Sequence, residues 1–280
     1  MATYSAEVIT LNSRRIRDTE AICHFLSRER GKIEASARGI GKPGSRLTPA
    51  TELFALSRAF FAEGRNLDHL TQCEVEDSFY PLRTDMRRMA CAGLVVELVD
   101  KTTEPGEPHP DVFELVKATL SALCDATEPQ IVTWAFEVRY LDMTGLGPQI
   151  EVCVSCGERD QTALVAFSPG LGGTLCRACA GEDEHRVVCP GTLRTLAALR
   201  CLGPEGAARV GVDPRVHREL AWLLTEHRRF HIGAEIRSAR FLAQATARQP
   251  SDRRPQTSDQ RQSPNGKQGR RGGESPPRSP

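Results

Sequence analysis

The 280-residue sequence lacks the patterns that mark membrane proteins, secreted proteins and the common enzyme classes. It contains no apolar run of about 18 residues, so it predicts no membrane-spanning helix. Residues 1–12 alternate in polarity instead of forming a charged flank and an apolar core, so we expect no secretion signal. Phosphate loops of the GxxxxGKS/T type, HExxH zinc motifs and GxSxG nucleophile elbows are also missing. We therefore expect a protein that is not an enzyme.

A net charge of one sign is also missing, since the formal total is only +1. The charge is nevertheless segregated along the chain. Residues 14–46 carry nine Arg and Lys against four Asp and Glu, and residues 248–280 carry eight against three. A basic N-terminal stretch and a basic tail therefore flank an acidic middle, a segregation that the total charge does not reveal.

Two closely spaced cysteine pairs are the strongest site signal in the sequence. Cys153 and Cys156 form one Cys-x-x-Cys pair, nineteen residues follow, and Cys176 and Cys179 form the second pair. Each pair closes a short turn that can aim two thiolates at one point, and neighbouring glycines allow tight turns. Four thiolates around one Zn²⁺ make a tetrahedral site without an open position for water or substrate. The spacing therefore predicts a structural zinc site.

The cysteines allow other readings at this stage. The four could form two disulfides or be unrelated core thiols, although nothing in the sequence indicates an oxidising compartment. His185 or Cys189, which follow the second pair, could replace one of the ligands. Five further cysteines stand alone among apolar or helical residues and are predicted to be small buried hydrophobic residues. They are Cys23, Cys73, Cys91, Cys124 and Cys201.

Five short segments of the first eighty residues have the composition or alternation of β-strands. They are residues 4–10, 21–26, 32–37, 53–61 and 70–75. Turn residues separate them, so they predict a small barrel. One option at this size is the OB-fold, a five-stranded barrel used for binding oligonucleotides. Periodicity alone does not distinguish it from an SH3-like barrel.

After Pro81 the apolar period changes from two residues to 3.6, which predicts helices. Four apolar stripes occupy residues 86–98, 112–123, 131–141 and 216–227. We expect the cysteine pairs to interrupt the helices of this one domain, between Leu141 and Leu193.

The C-terminal residues are mainly Arg, Ser, Gln, Pro and Gly and contain almost no apolar side chains. Such a segment cannot bury enough surface to offset its ordering entropy, so it is predicted to be disordered. The predicted organisation is a barrel over residues 1–80, a helical domain over 81–247 with a zinc module at 150–190, and a disordered basic tail over 248–280.

Seven basic residues of the N-terminal stretch are the candidate nucleic-acid contacts. Successive turns of a small barrel can collect such charges on one rim, where they would contact phosphates independently of sequence and in a salt-sensitive way. Ordinary solvated charge is the alternative, because Glu29 and Glu34 lie among them and few aromatic residues are interleaved for base stacking. The candidates are Arg14, Arg15, Arg17, Lys32, Arg38, Lys42 and Arg46.

The order of these parts and several short motifs resemble the RecO family of bacterial DNA repair proteins. Residues 141–157 (LDMTGLGPQIEVCVSCG) are similar to the family's leucine, G-x-x-P and C-x-x-C-G landmarks. Residues 167–179 resemble its F-S-P, double-glycine and second C-x-x-C segment, and residues 231–242 its terminal basic, serine and leucine segment. The resemblance covers roughly residues 4–245. Ile16 stands where the family often has an aromatic residue, and Arg15 is additional.

This resemblance implies an α+β protein with an N-terminal five-stranded OB-fold barrel, followed by a mostly helical domain with an inserted four-cysteine zinc module. It also implies a cytoplasmic, nucleoid-associated bacterial protein that binds single- and double-stranded DNA and anneals complementary strands. The implied partners are RecR, single-strand-binding protein and, indirectly, RecA, which the family helps to load onto coated DNA.

Two other functions remain possible on sequence alone. One is a zinc-ribbon adaptor for protein interaction or transcription, for which DNA contact is incidental. The other is a hydrolase whose site has none of the common motifs. Acceleration of strand annealing would distinguish the DNA-repair function from an adaptor.

Overall fold

The computed structural model describes residues 2–160, 162–181 and 185–247, so the predictions for the tail from Arg248 onward lie outside the described residues. Eight strands and eight helices are assigned in this part of the chain. The strands are β1 (Thr3–Arg17), β2 (Glu20–Ser27), β3 (Gly31–Arg38), β4 (Leu56–Ala62), β5 (Asp68–Asp77), β6 (Leu164–Ser168), β7 (Gly173–Cys176) and β8 (Arg186–Val187). The helices are α1 (Pro81–Thr84), α2 (Met86–Thr102), α3 (Pro110–Asp125), α4 (Pro129–Met143), α5 (Pro190–Cys201), α6 (Pro204–Ala207), α7 (Pro214–His231) and α8 (Arg237–Ala247).

The first five strands close into a barrel in the order β1-β2-β3-β5-β4. All neighbouring strands are antiparallel except β3 and β5, which run parallel with Ala35 opposite Asp68. A 3-10 helix, Pro49–Thr51, lies between β3 and β4. This is the OB-type arrangement of a five-stranded barrel. The predicted fold class, a five-stranded barrel followed by helices with a four-cysteine group, is confirmed.

Strand β1 is longer than its alternation indicated, because it runs to Arg17 and does not end at Thr10. Its pairing with β2 shifts at two places, between Thr10 and Asn12 and between Arg15 and Arg17. Each such bulge inserts an unpaired residue and breaks the period of two. The arginines at positions 14, 15 and 17 therefore lie within β1, where a loop before β2 was predicted.

Strand β4 begins at Leu56, three residues later than predicted. The reason is Phe54, whose φ of 76° lies in the left-handed region that a strand cannot contain. The Phe54 N–H donates to the carbonyl of Thr10 at 2.9 Å, and its side chain is buried in the core. Packing of this ring thus fixes a turn that a pattern of apolar residues does not reveal.

Six of the eight described helices have proline as their first residue. Proline is suited to this position because its fixed φ is helical and its missing N–H would have no partner there. Helix α4 is buried on most of its surface and lies between two cores. Its Val132, Phe136 and Tyr140 belong to a core shared with α2, α3 and the outside of the barrel, whereas Ile131 and Trp134 belong to a core shared with α5, α7 and strands β6 and β7.

The barrel is joined to the helices by a buried carboxylate near the end of α2. The Oδ1 atom of Asp100 lies 2.6 Å from Nδ1 of His24, and its Oδ2 accepts a hydrogen bond from Asn12 Nδ2 at 3.2 Å. The backbone carbonyl of Asp100 accepts a further hydrogen bond from Lys32 Nζ at 2.9 Å. Burial opposes ionisation of this carboxyl, but the hydrogen bonds from His24 and Asn12 bring its pKa below the ordinary value. Three barrel strands thus converge on one helical residue.

The segment around the cysteines lies between α4 and α5, where the sequence predicted an interruption of the helices, but the sequence did not predict its strands. It forms a small sheet in the order β7-β6-β8, with β6 in the centre and antiparallel to both neighbours. Strand β6 contains five residues, β7 four and β8 two, so each is too short for an apolar period to be recognised.

The prediction that five single cysteines are buried is only partly correct. Cys23 and Cys91 are buried and Cys73 and Cys124 are partly buried, but Cys201 is exposed. Cys201 is the last residue of α5, and its side chain lies off the apolar face that carries Leu196 and Leu199.

No helix in the described part of the chain combines the length and the apolar character needed to cross a bilayer.

A buried ion pair between α4 and α7 provides a test of this packing. The Arg228 guanidinium donates to the Glu137 carboxylate, and their side chains are 8% and 1% exposed. Removing one partner leaves a buried charge without compensation, whereas replacing both with apolar residues removes that cost. We expect Arg228→Met to lower the free energy of unfolding by about 3–5 kcal/mol. The double variant Glu137→Met/Arg228→Met should recover most of this loss in urea titrations, and a double variant less stable than Arg228→Met would contradict the assignment.

Candidate metal centre and nucleic-acid interface

The sulfur atoms of Cys153, Cys156, Cys176 and Cys179 all lie within 4.8 Å of one another. The Sγ atoms of Cys156 and Cys176 are 3.7 Å apart. Four sulfurs placed at about 2.3 Å from a central zinc ion in a tetrahedron are about 3.8 Å apart, so the group has the size of a tetrahedral thiolate site. These four cysteines could therefore hold a metal ion.

The two cysteine turns have the same backbone geometry. The N–H of Gly157 donates to the carbonyl of Cys153 at 2.8 Å, and the N–H of Ala180 donates to that of Cys176 at 2.9 Å. Gly157 has a φ of 79°, a conformation that suits glycine. Both turns thus place the two cysteines of a Cys-x-x-Cys pair on the same side of the turn.

Close packing brings the two turns together. A Cβ atom on Gly173 would lie 2.5 Å from the carbonyl oxygen of Gln149, so only glycine allows this approach. Backbone hydrogen bonds from Gln149 to Gly172 and from Thr174 to Gln149, both 2.9 Å, then fix β7 beside the segment that leads into the first pair. The second glycine of the pair recognised in the sequence is therefore required by the approach of two backbones.

The four thiols do not ionise independently of one another. Burial opposes ionisation of Cys153, but backbone N–H groups, including that of Cys176 at 3.3 Å, bring its pKa down to about 6. The N–H of Glu158 favours the Cys156 thiolate, whereas hydrogen bonds to the other three sulfurs raise the pKa of Cys156 to about 12. One thiolate thus suppresses the ionisation of its neighbours, and a divalent cation would remove that repulsion.

The two substitute ligands considered from the sequence, His185 and Cys189, are not members of this group. Cys189 precedes α5, and its Sγ lies 3.2 Å from the hydroxyl of Thr192. Its N–H donates to the carboxylate of Glu219 at 2.7 Å, so Cys189 belongs to the connection between α5 and α7.

Two histidines of α7 hold the small sheet against the helices. The Nε2 atom of His231 lies 2.8 Å from the carbonyl of Pro169, in the turn between β6 and β7. The Nε2 atom of His227 lies 2.7 Å from the carbonyl of Leu146. Burial lowers the pKa of His227 to about 4, so its ring is neutral at pH 7 and donates through Nε2.

Strand pairing brings four of the predicted basic residues together at one end of the barrel. Arg14, Arg15 and Arg17 lie on β1 opposite Ile22, Ala21 and Glu20 of β2, and Glu20 lies opposite Arg38 of β3. Arg17 and Arg38 flank Glu20 with N–O distances of 3.6 and 3.1 Å, and their side chains are 80% and 74% exposed. One carboxylate therefore lies between two exposed guanidinium groups.

Lys42 and Arg46 lie in the loop that follows β3, and both are exposed. This loop is attached to the β1–β2 turn, because the Gly39 N–H donates to the Thr19 carbonyl at 2.7 Å. Among the described residues, the side chains of Arg14, Arg15, Lys42 and Arg46 form no ion pair. We call the six residues Arg14, Arg15, Arg17, Arg38, Lys42 and Arg46 the basic edge.

The seventh candidate, Lys32, lies at the other end of β3 from Arg38. Its ammonium group donates to the Asp100 carbonyl at the barrel–helix junction, so the structure does not place it on the basic edge. The sequence contained no signal for this contact, because the two residues are 68 positions apart.

The chain is similar to known proteins along most of its length. A family model described as "Recombination protein O N terminal" matches residues 1–79, and one described as "Recombination protein O C terminal" matches residues 83–240. A protein of Moorella thermoacetica named DNA repair protein RecO is 34% identical over 241 residues, which cover 85% of this chain and 90% of the relative. Proteins of the same name from Symbiobacterium thermophilum and Halalkalibacterium halodurans are 37% and 31% identical, over 71% and 86% of this chain and 80% and 94% of their own lengths.

The cysteine group generates a prediction with an internal control. Cys176→Ser should remove tightly bound metal from the purified protein and lower its melting temperature by about 10 °C, because metal binding contributes to folding stability. Cys201→Ser changes an exposed cysteine outside the group and should leave both quantities unchanged. Metal content by mass spectrometry and thermal unfolding test this. Equal metal content in the two variants would show that the four cysteines are not the ligands.

Proposed function

Because the chain belongs to the RecO family of DNA repair proteins, we propose that it is a non-enzymatic mediator of DNA repair and homologous recombination. In this proposal it binds single- and double-stranded DNA, anneals complementary strands and helps to load a recombinase onto DNA coated by single-strand-binding protein. The basic edge is the observation that carries the proposal, because it supplies a surface suited to the phosphate backbone.

The geometry of the basic edge supports backbone contact rather than base recognition. Its cations lie on β1, on β3 and on the loop that follows β3, and all six are exposed. Arginine and lysine placed in this way neutralise phosphates without reading bases. We therefore assign DNA-backbone contacts to Arg14, Arg15, Arg17, Arg38, Lys42 and Arg46. The contact of Lys32 with DNA stays a prediction.

We propose that the metal at the four cysteines is zinc and that its role is structural. The donor set of four thiolates is that of structural zinc sites, and four protein ligands leave no position for a substrate. When bound, zinc would neutralise the thiolates and connect the two cysteine turns. The free energy of metal binding would then stabilise the small sheet against α4 and α7.

The partners in this proposal are those that the family resemblance implies: RecR, single-strand-binding protein and, indirectly, RecA. We also propose that the protein acts in the bacterial cytoplasm in association with the nucleoid. The helical domain offers additional surface for these protein partners and for a second DNA contact. A zinc-ribbon adaptor is the competing function, and it would bind partners without changing the rate of strand pairing.

Neutralising the unpaired members of the basic edge tests the proposed DNA surface. We expect the variant Arg14→Gln/Arg15→Gln/Lys42→Gln/Arg46→Gln to bind single-stranded DNA more weakly. The slope of log K against log salt should fall by about 0.7 for each phosphate contact that is lost. Fluorescence anisotropy at several salt concentrations measures both quantities.

The control is Arg194→Gln/Arg209→Gln, which removes two exposed cations of the helical region that have no ion pair among the described residues. We expect a much smaller loss of affinity and little change of the slope. A salt slope that is the same in the unaltered protein and the quadruple variant would refute the assignment of these four residues to phosphate contacts.

Strand annealing distinguishes the mediator from the adaptor. The unaltered protein should accelerate pairing of complementary strands coated with single-strand-binding protein, and the quadruple variant should accelerate it less. Annealing is followed by energy transfer between dyes on the two strands. A rate equal to that of the spontaneous reaction, in a protein that still binds its protein partners, would favour the adaptor.

A further inference from the structure

A cleft of about 300 Å³ opens near the beginning of β3, at the end of the strand opposite Arg38. The seven residue steps from Gly31 to Arg38 correspond to about 23 Å along the strand. The cleft is lined by Tyr4 and Arg30 of the barrel, by the β4–β5 loop at residues 64–66, and by the α2–α3 loop at residues 105–106. It is thus separate from the basic edge but lies on the same strand.

The cleft contains one end of a row of three aromatic rings and one guanidinium group, each in contact with the next. Phe25 and Phe61 contact edge to face at 5.6 Å, and Phe61 stacks on Tyr4 at 5.2 Å with an interplanar angle of 26°. The Arg30 Cζ atom lies 3.8 Å from the centre of the Tyr4 ring, and the Arg30 side chain is 48% exposed. The row therefore begins in the barrel core and ends in a planar, partly exposed guanidinium group.

Hydrogen bonds fix the tyrosine and the first wall of the cleft. The Asp68 carboxylate accepts a hydrogen bond from the Tyr4 hydroxyl and another from the Gly64 N–H at 3.0 Å. Burial and this carboxylate raise the pKa of Tyr4, so the hydroxyl keeps its proton and donates. Glu63 lies 3.7 Å from Arg30 and restrains the guanidinium group from the side.

The second wall is fixed by contacts between backbones. Gly31 has a φ of 68°, and a Cβ atom there would lie 2.0 Å from the carbonyl oxygen of Glu107. The Gly106 N–H donates to the carbonyl of Lys32 at 3.2 Å. The α2–α3 loop is thus held against β3, and the cleft exists before any ligand enters.

The chemistry of the cleft suits an unpaired nucleobase. An arginine guanidinium presents a flat face on which any base can stack, and such stacking tolerates every base. Arg65 and Asn66 lie at its edge, both exposed, and can serve a neighbouring phosphate and the polar edge of a base. A base that is paired within a duplex cannot reach such a cleft without leaving its partner.

We propose that this cleft receives one unpaired base of single-stranded DNA, stacked on the guanidinium group of Arg30. The inference rests on the proposed DNA-binding function and deepens it. The basic edge binds backbone of any kind, whereas the cleft distinguishes single strands from duplexes. A DNA strand that runs along β3 reaches from the basic edge to the cleft.

The test replaces Arg30 by lysine, which keeps the charge and removes the flat stacking face. Arg30→Lys should weaken binding of single-stranded DNA by about tenfold, near the low end of base stacking. Duplex affinity and the salt slope should not change. Arg28→Lys is the matched control, because Arg28 is in the same turn, its side chain is 47% exposed, and it pairs with Glu114. It should bind both forms of DNA as the unaltered protein does.

A second measurement changes the DNA. A single abasic site is moved along a short oligonucleotide, and one position should cost the unaltered protein about tenfold in affinity. On the oligonucleotide with that abasic site, Arg30→Lys and the unaltered protein should bind equally. Equal losses at every position, or an Arg30→Lys defect that persists on the abasic strand, would overturn the proposal. Failure of the unaltered protein to bind any DNA would instead refute the proposed function itself.

Discussion

Burial of helix α4 on all sides is the constraint on which the rest of the structure depends. A helix without a solvent-facing side must be covered by other elements along its whole length. Here α2, α3, α8 and the outer face of the barrel belong to the core on one side of α4, while α5, α7 and the small sheet belong to the core on the other. The core that includes the barrel face and the core that includes the cysteine group thus meet at this helix. Glu137 is the charged residue that α4 buries, and Arg228 pairs with it.

The cysteine group depends on this framework and also reinforces it. The small sheet has only three short strands, so it has little core of its own and relies on packing against α4 and α7. The ring of Trp134 in α4 contacts that of His217 in α7 with centroids 4.7 Å apart, and the ring of Phe167 in β6 lies 6.0 Å from that of His227. These contacts come from residues far apart in the chain, so the module and the helical core form one cooperative unit.

Local patterns predicted much of the molecule. The five barrel strands and the four long helices were recognisable because each repeats its apolar period several times, and the four-cysteine group because its spacing is short and regular. Long-range contacts could not be predicted in the same way. The junction at Asp100, the shift of β4 at Phe54 and the position of Lys32 each depend on a partner more than forty residues away. The strands β6, β7 and β8 were missed because they are too short to show a period.

The carboxylate of Glu20, between Arg17 and Arg38, has a kinetic consequence. It occupies the position that a phosphate oxygen would take between the two guanidinium groups, so it acts as a built-in counterion. In the proposed DNA complex, a phosphate would have to displace this carboxylate, which would return as the phosphate left. The exchange would replace one ion pair by another at a small net energy. Such a contact would shorten the residence time of each phosphate and would let the DNA strand slide without a large barrier.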